Sequence, residues 1–214
     1  MSGTNTTVIT ISRQMASGGA YIGYLLAKKL GYKYVEREVL ILAAKELGVE
    51  LVDLAHRDEC CDSFVEKMMK SFMFGTPEAV YVPPARRPVY DQELYDVECR
   101  IIKDVVERYN AVIVGRGGYS ILSGRPGVVN VLIHAPLDFR IERLRKFNSL
   151  TEDQARQEIQ ESDRKREKFL KTMTSTDRYD ARNYHLCIDA AAAGFETAQR
   201  MIVELVEKNK RDRE

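Results

Sequence analysis

The 214-residue chain has no apolar run approaching the eighteen or more residues that a membrane helix needs. Its opening stretch, MSGTNTTVIT, has neither the basic nor the hydrophobic region of a secretory signal. A cytoplasmic protein with no membrane partner is expected. Cysteine is scarce: Cys60, Cys61, Cys99 and Cys187 form no C-x-x-C pair and no zinc spacing, which suits reduced thiols. The Cys60-Cys61 pair lies beside Asp58, Glu59 and Asp62, and acidic neighbours raise a thiol pKa rather than activate it. His56, His134 and His185 are too scattered to suggest a metal centre. Net charge is almost absent as well. The 33 bases and 32 acids leave +1, which argues against nucleic acid as the partner. What remains, with 44% hydrophobic and 30% charged residues and no internal repeat, is the composition of an ordinary folded domain.

The neutral total hides a segregated distribution. No acidic residue precedes Glu36, so residues 1–35 carry only Arg13, Lys28, Lys29 and Lys33 as charged groups. Residues 36–66 then hold nine acids against three bases, and residues 138–182 hold eight arginines among ten acids.

Short β-branched or apolar runs at 7–11, 32–35, 111–115, 128–135 and 185–189 predict five strands. Helical spacing separates them. Ile22, Leu25, Leu26 and Leu30 define a first helix that stops at Gly31, and Pro136 opens another to about 147. Thr151-x-x-Gln154 has the form of a capping box opening a polar helix to about 173. Phe195, Ala198, Met201, Ile202 and Leu205 mark a closing helix, with a fraying tail at 208–214. Residues 37–110 read as a helical insertion, with helices near 37–47, 62–73 and 92–109 around the turn-rich GTPEAVYVPPARRP. The stripe of Leu94, Val97, Ile101, Ile102, Val105, Val106 and Tyr109 suits a core or a homodimer contact equally. Strands alternating with helices predict an α/β fold with a doubly wound parallel sheet.

Ligands of such sheets collect beyond the carboxyl ends of the strands. There the sequence places its unusual loops, Ser12–Ala20 and Gly115-Arg116-Gly117-Gly118. The first offers successive backbone N–H groups and a helix N-terminus, both attractive to phosphate, with Gly18 and Gly19 permitting close approach. Against the pattern G-x-x-x-x-G-K-[ST], Gly18 takes the second glycine, Arg13 the first, Gly19 the lysine and Ala20 the hydroxyl position. The lysine and the magnesium-binding hydroxyl are both missing. Arg13 can supply charge and Ser12 or Ser17 a hydroxyl from other positions. Arg116, between glycines at a strand end, is placed to reach into the crevice.

The stretch ITISRQMASGGAYIGYLLAKKLGYKYVERE resembles the opening of the cytidylate kinase-like proteins, whose loop runs Ser-Arg-Glu-x-x-Ser-Gly-Gly-Arg. The resemblance continues through VIVGRGG, APLDFRIERLRK, DRKREKF and YHLCIDA, although the family's aspartate after the arginine is Gly117 here. It implies a P-loop kinase-like five-stranded parallel sheet. The core would span about 1–36, 111–147 and 184–209, with an acceptor-binding insertion at 37–110 and a lid at 148–183. The implied reaction moves the γ-phosphoryl group of ATP to a nucleoside monophosphate with Mg2+. By the same resemblance Ser12, Arg13, Ala16, Ser17, Gly18, Gly19 and Ala20 would hold ATP phosphates, with Ser17 toward the metal. Gly115 and Arg116 would hold the acceptor, and Arg140, Arg143, Arg164 and Arg166 the charge of the transition state. Arg100, on the helix before Arg116, suits a second acceptor-phosphate ligand or a surface residue equally. A phosphate acceptor is already anionic at neutral pH, so no general base is assigned. The acidic insertion admits a different small acceptor, and the missing lysine admits a non-catalytic nucleotide-binding or sensing module.

Overall fold

Runs that are apolar on both faces belong in a sheet covered on both sides, and the five predicted runs form one. The computed structural model describes residues 6–48 and 91–213. The helix expected near 62–73, the 75–88 turn segment, His56, Cys60, Cys61, Asp58, Glu59 and Asp62 lie outside the described residues. In chain order the described elements begin with β1 (Val8–Arg13), α1 (Gly19–Leu30), β2 (Lys33–Val35), α2 (Arg37–Leu47) and α3 (Asp91–Arg108). Then come β3 (Ala111–Val114), the single turn α4 (Gly118–Ile121), β4 (Val128–His134), α5 (Leu137–Asn148) and α6 (Glu152–Thr174). The chain closes with β5 (Leu186–Asp189), the single turn α7 (Ala190–Ala193) and α8 (Phe195–Arg211).

The sheet is wholly parallel with order β2-β3-β1-β4-β5, so β1 is central and Val8 lies beside both Ala111 and Val128. Successive side chains of a strand point to opposite faces. Val8, Ala111, Ile113 and Val128 accordingly pack with α2 and α3, through Val39, Ala43, Leu94, Val97, Ile102 and Val106. Ile9, Ile11, Val112, Val114, Val131 and Ile133 pack with α1 and α8, through Ile22, Leu26, Ala198, Ile202 and Val206. The apolar stripe of α3 thus feeds the core. A third cluster unites Met15 and Ala16, from the loop after β1, with Ile141 and Leu144 of α5 and Ala155 and Ile159 of α6. The capping box forms, with Thr151 and Gln154 bonded reciprocally at the start of α6.

Two departures from the sequence reading have tertiary causes. β1 runs two residues past the β-branched run because Ser12 and Arg13 pair with Leu132 and Ile133 of β4. The tail expected to fray stays helical to Arg211, and Arg213 donates to the Thr7 hydroxyl at 3.0 Å. Among the described residues no helix is long and apolar enough to cross a membrane.

Ile11, 1% exposed in the central strand, tests this core. Ile11→Ala is expected to cost about 2–5 kcal/mol through lost burial and a residual cavity. Urea unfolding should show the midpoint falling with an unchanged slope.

Candidate active site

The loop between β1 and α1 turns through left-handed conformations at Ala16 (φ 58°) and Gly18 (φ 93°), and α1 begins with no acid in its first turn. Its shape follows from what Arg13 does. The Arg13 stem passes against Gly19, where an added Cβ would stand 2.5 Å from the Arg13 Cβ. Its guanidinium then crosses Gly115, where a Cβ would stand 2.0 Å from Nη1. The side chain ends on Glu36, with Nη2 3.1 Å from Oε1, and the Tyr34 hydroxyl donates to the other Glu36 oxygen. Gly115 itself turns at φ 76°, so its bare Cα serves both backbone and neighbour.

Arg116 follows, also left-handed (φ 58°), and is 6% exposed. Its Nη1 donates to Glu98 Oε1 at 3.1 Å, and Glu98 is fully buried on α3. Burial, reinforced by the charge of Arg13 and opposed by Glu36, pushes the Arg116 guanidinium down to about 9; Arg166 adds to the lowering. It therefore remains a cation at pH 7, in the company of two further arginines.

The α5–α6 hairpin holds the loop from the other side. Arg140 donates from Nε to the Ala135 carbonyl at 3.0 Å and from Nη1 to Asp163 Oδ2 at 2.5 Å and the Met15 carbonyl at 3.4 Å. Asp163 Oδ1 accepts the Met15 N–H at 2.9 Å and lies 4.0 Å from Arg166, which is wholly buried. Arg143 donates from Nε to the Ala16 carbonyl at 3.1 Å and lies over the Phe195 ring at 4.5 Å. Burial lowers its pKa.

The structure therefore brings Arg13 and Arg166 within electrostatic reach of Arg116 and sets Arg140 and Arg143 on the loop backbone. It does not bring in the others. Arg100 is 63% exposed and pairs with Glu46 of α2, and Arg164 is exposed on α6. Ser12 is buried in β1 beside Tyr184, and Gly18 lies against the Phe195 ring. The Ser17 hydroxyl is fully buried and donates to the Gln14 and Ile133 carbonyls, at 2.9 and 3.3 Å, while Ala20 has no hydroxyl at all. The loop thus presents no available hydroxyl at Ser17 or Ala20, and the described residues contain no group of three His, Cys, Asp or Glu suited to a metal.

Sequence reading missed Glu98, Asp163 and Arg178 as site residues. Glu98 had a signal: it falls on the apolar stripe of α3, four residues after Leu94 and three before Ile101. Asp163 is three residues from Arg166, on the same helical face. Arg178, 3% exposed, lies in a loop with no periodicity to mark it. Together five arginines (13, 116, 140, 166 and 178) are buried here, against buried Glu36 and Glu98 and the partly buried Asp163.

The model of the cytidylate kinase-like family matches residues 8–192. The chain belongs to this family. Among solved structures, an uncharacterised protein of Eubacterium ventriosum superposes with a TM-score of 0.67 at 20% identity, over 94% of this chain and 99% of that one. The shikimate kinase of Acinetobacter baumannii, in complex with shikimate, gives 0.51 at 13% identity over 97% and 96% of the two chains. That of Bacteroides thetaiotaomicron gives 0.52 at 15% identity over 94% and 98%. These similarities establish a shared P-loop kinase fold for the cytidylate kinase-like chain. A curated relative, the uronate isomerase of Corynebacterium glutamicum, is 24% identical over 149 residues, which are 70% of this chain and 29% of that protein.

The Glu98–Arg116 pair gives the test of this geometry. Glu98→Ala leaves a buried guanidinium without that carboxylate and is expected to cost about 3–5 kcal/mol in urea unfolding. Glu98→Gln, which keeps the volume and one acceptor oxygen, should cost less.

Proposed function

We propose that the protein transfers the γ-phosphoryl group of ATP to a nucleoside monophosphate. The observation that carries the proposal is the concentration of guanidinium groups at the loop: Arg13, Arg116, Arg140, Arg166 and Arg178 are all buried around it. Planar, permanently charged groups gathered in this way suit a polyanionic ligand. Family membership and the P-loop kinase fold support phosphoryl transfer as the use of such a site.

The chemistry asks the protein chiefly to position two anions and neutralise charge on the transferring group. A planar guanidinium suits this because it contacts phosphate oxygens bidentately and keeps its proton. In this proposal Arg116, oriented by Glu98, receives the acceptor phosphate at the end of β3. Arg13, oriented by Glu36, supplies charge between donor and acceptor across Gly115. The loop amides and the N-terminus of α1 face the donor phosphates. Arg140 and Arg143 act on the loop carbonyls and hold its shape, while Arg166 adds charge from the lid helix. No step here is routed through magnesium, for which Ser17 and Ala20 present no available hydroxyl.

A coupled assay of ADP release across the nucleoside monophosphates, with shikimate as another acceptor, tests the proposal. Stimulation by a monophosphate is expected. Stimulation by shikimate instead identifies another small acceptor. ATP binding with no acceptor-dependent turnover makes the protein a sensing module. Arg116→Ala is expected to raise the acceptor KM about tenfold to a hundredfold, the loss of one charge-assisted contact pair.

A further inference from the structure

We propose that Arg178 is the cation that holds the phosphate tail of the bound nucleotide, in place of a loop lysine. The inference rests on the phosphotransferase reading above and assigns a residue that neither the family pattern nor the sequence spacing singled out.

The loop cannot carry its own lysine. A side chain at residue 19 would begin 2.5 Å from the Arg13 Cβ and 3.3 Å from the Ile133 Cβ. Both contacts are to inner side-chain atoms, which have little freedom to yield. A cation beyond Arg13 for the donor phosphates is therefore not supplied from position 19 and is sought on another element.

Arg178 comes from the segment between α6 and β5 and reaches the first residue of the loop. Its Nη2 donates to the Arg13 carbonyl at 2.6 Å. The next residue, Tyr179, interacts with the Gln14 side chain and with Asp163. Residues 178–179 thus lie against loop residues 13–14, and Asp163 holds the Met15 N–H beside them.

The guanidinium is nevertheless poorly satisfied. Arg178 is 3% exposed, and its Nε and Nη1 are buried with no hydrogen-bond partner. Among the described residues it forms no ion pair. Its neighbours are the Tyr179 ring, 5.3 Å from the guanidinium carbon, and the phenols of Tyr119 and Tyr184. A bracing role for the strand end would use Nη2 alone and leave two donors desolvated without return. Buried, unmatched N–H groups beside an anion-binding loop match the oxygens of a phosphate.

The test compares wild type, Arg178→Gln and Arg178→Lys, each as the full chain. ATP and ADP are titrated by calorimetry, and melting temperature is read with and without nucleotide. The proposal expects Arg178→Gln to melt without ligand at or above the wild-type temperature, because an unsatisfied buried cation is gone. It expects ATP affinity to fall at least about tenfold, with loss of the ATP-induced rise in melting temperature, and Arg178→Lys to recover most of both. If wild type binds ATP and Arg178→Gln binds it within about twofold, the assignment is overturned while the phosphotransferase reading stands. If both variants melt far below wild type, Arg178 is a structural brace and the assignment is likewise overturned. A wild type that binds neither ATP nor ADP removes the phosphotransferase reading, and this assignment with it.

Discussion

The path of one side chain sets the architecture of the site. Arg13 leaves the end of β1, lies across Gly19, crosses Gly115 and ends on Glu36. Each contact constrains a different element. Gly19 must be bare, so the first turn of α1 approaches the strand too closely to carry a lysine. Gly115 must be bare and turns left-handed, which ends β3 and sends Arg116 away from the sheet toward Glu98. Glu36 is held at the end of β2 by Tyr34 as well as by Arg13. The two oddities of the sequence, a missing lysine and an arginine at a glycine position, are one structural fact.

The opposite wall is built from α5 and α6, and there charge and packing act together. Ile141, Leu144, Ala155 and Ile159 enclose Met15 and Ala16, while Arg140 and Arg143 bind the carbonyls of the same two residues. Left-handed Ala16 is tolerated because apolar contacts and a hydrogen bond to its carbonyl over-determine it. Asp163 closes the arrangement by taking the Met15 N–H and balancing Arg140. The loop and the hairpin above it are therefore joined by both apolar packing and hydrogen bonds.

The sheet was legible because short β-branched runs bounded by glycine have few other uses, and all five appear where the pattern put them. The strand ends were less so: Ser12 and Arg13 are drawn into β1 by pairing with β4, which no local pattern encodes. The arginines were legible as a density but not as individuals. Arg164 and Arg166 stand two apart on α6, and two helical residues differ by roughly 200° around the axis. One is exposed and the other fully buried. Only the position of the helix against the loop decides which, and that depends on contacts between residues far apart in sequence. Glu98 is the instructive case, since an acid on an apolar stripe is a local signal of a buried cation that helix spacing alone can reveal.

Net charge is uninformative for a related reason. A chain at +1 has little long-range field to draw an anion. Yet five arginines (13, 116, 140, 166 and 178) are buried around the loop. Exposed charges separated by more than a Debye length are largely screened, whereas buried ones are screened far less. The charge of these arginines therefore acts at short range and strongly at contact. Under the proposed function, specificity would come from fit: a phosphate would have to enter far enough to meet guanidinium groups already oriented by Glu36 and Glu98.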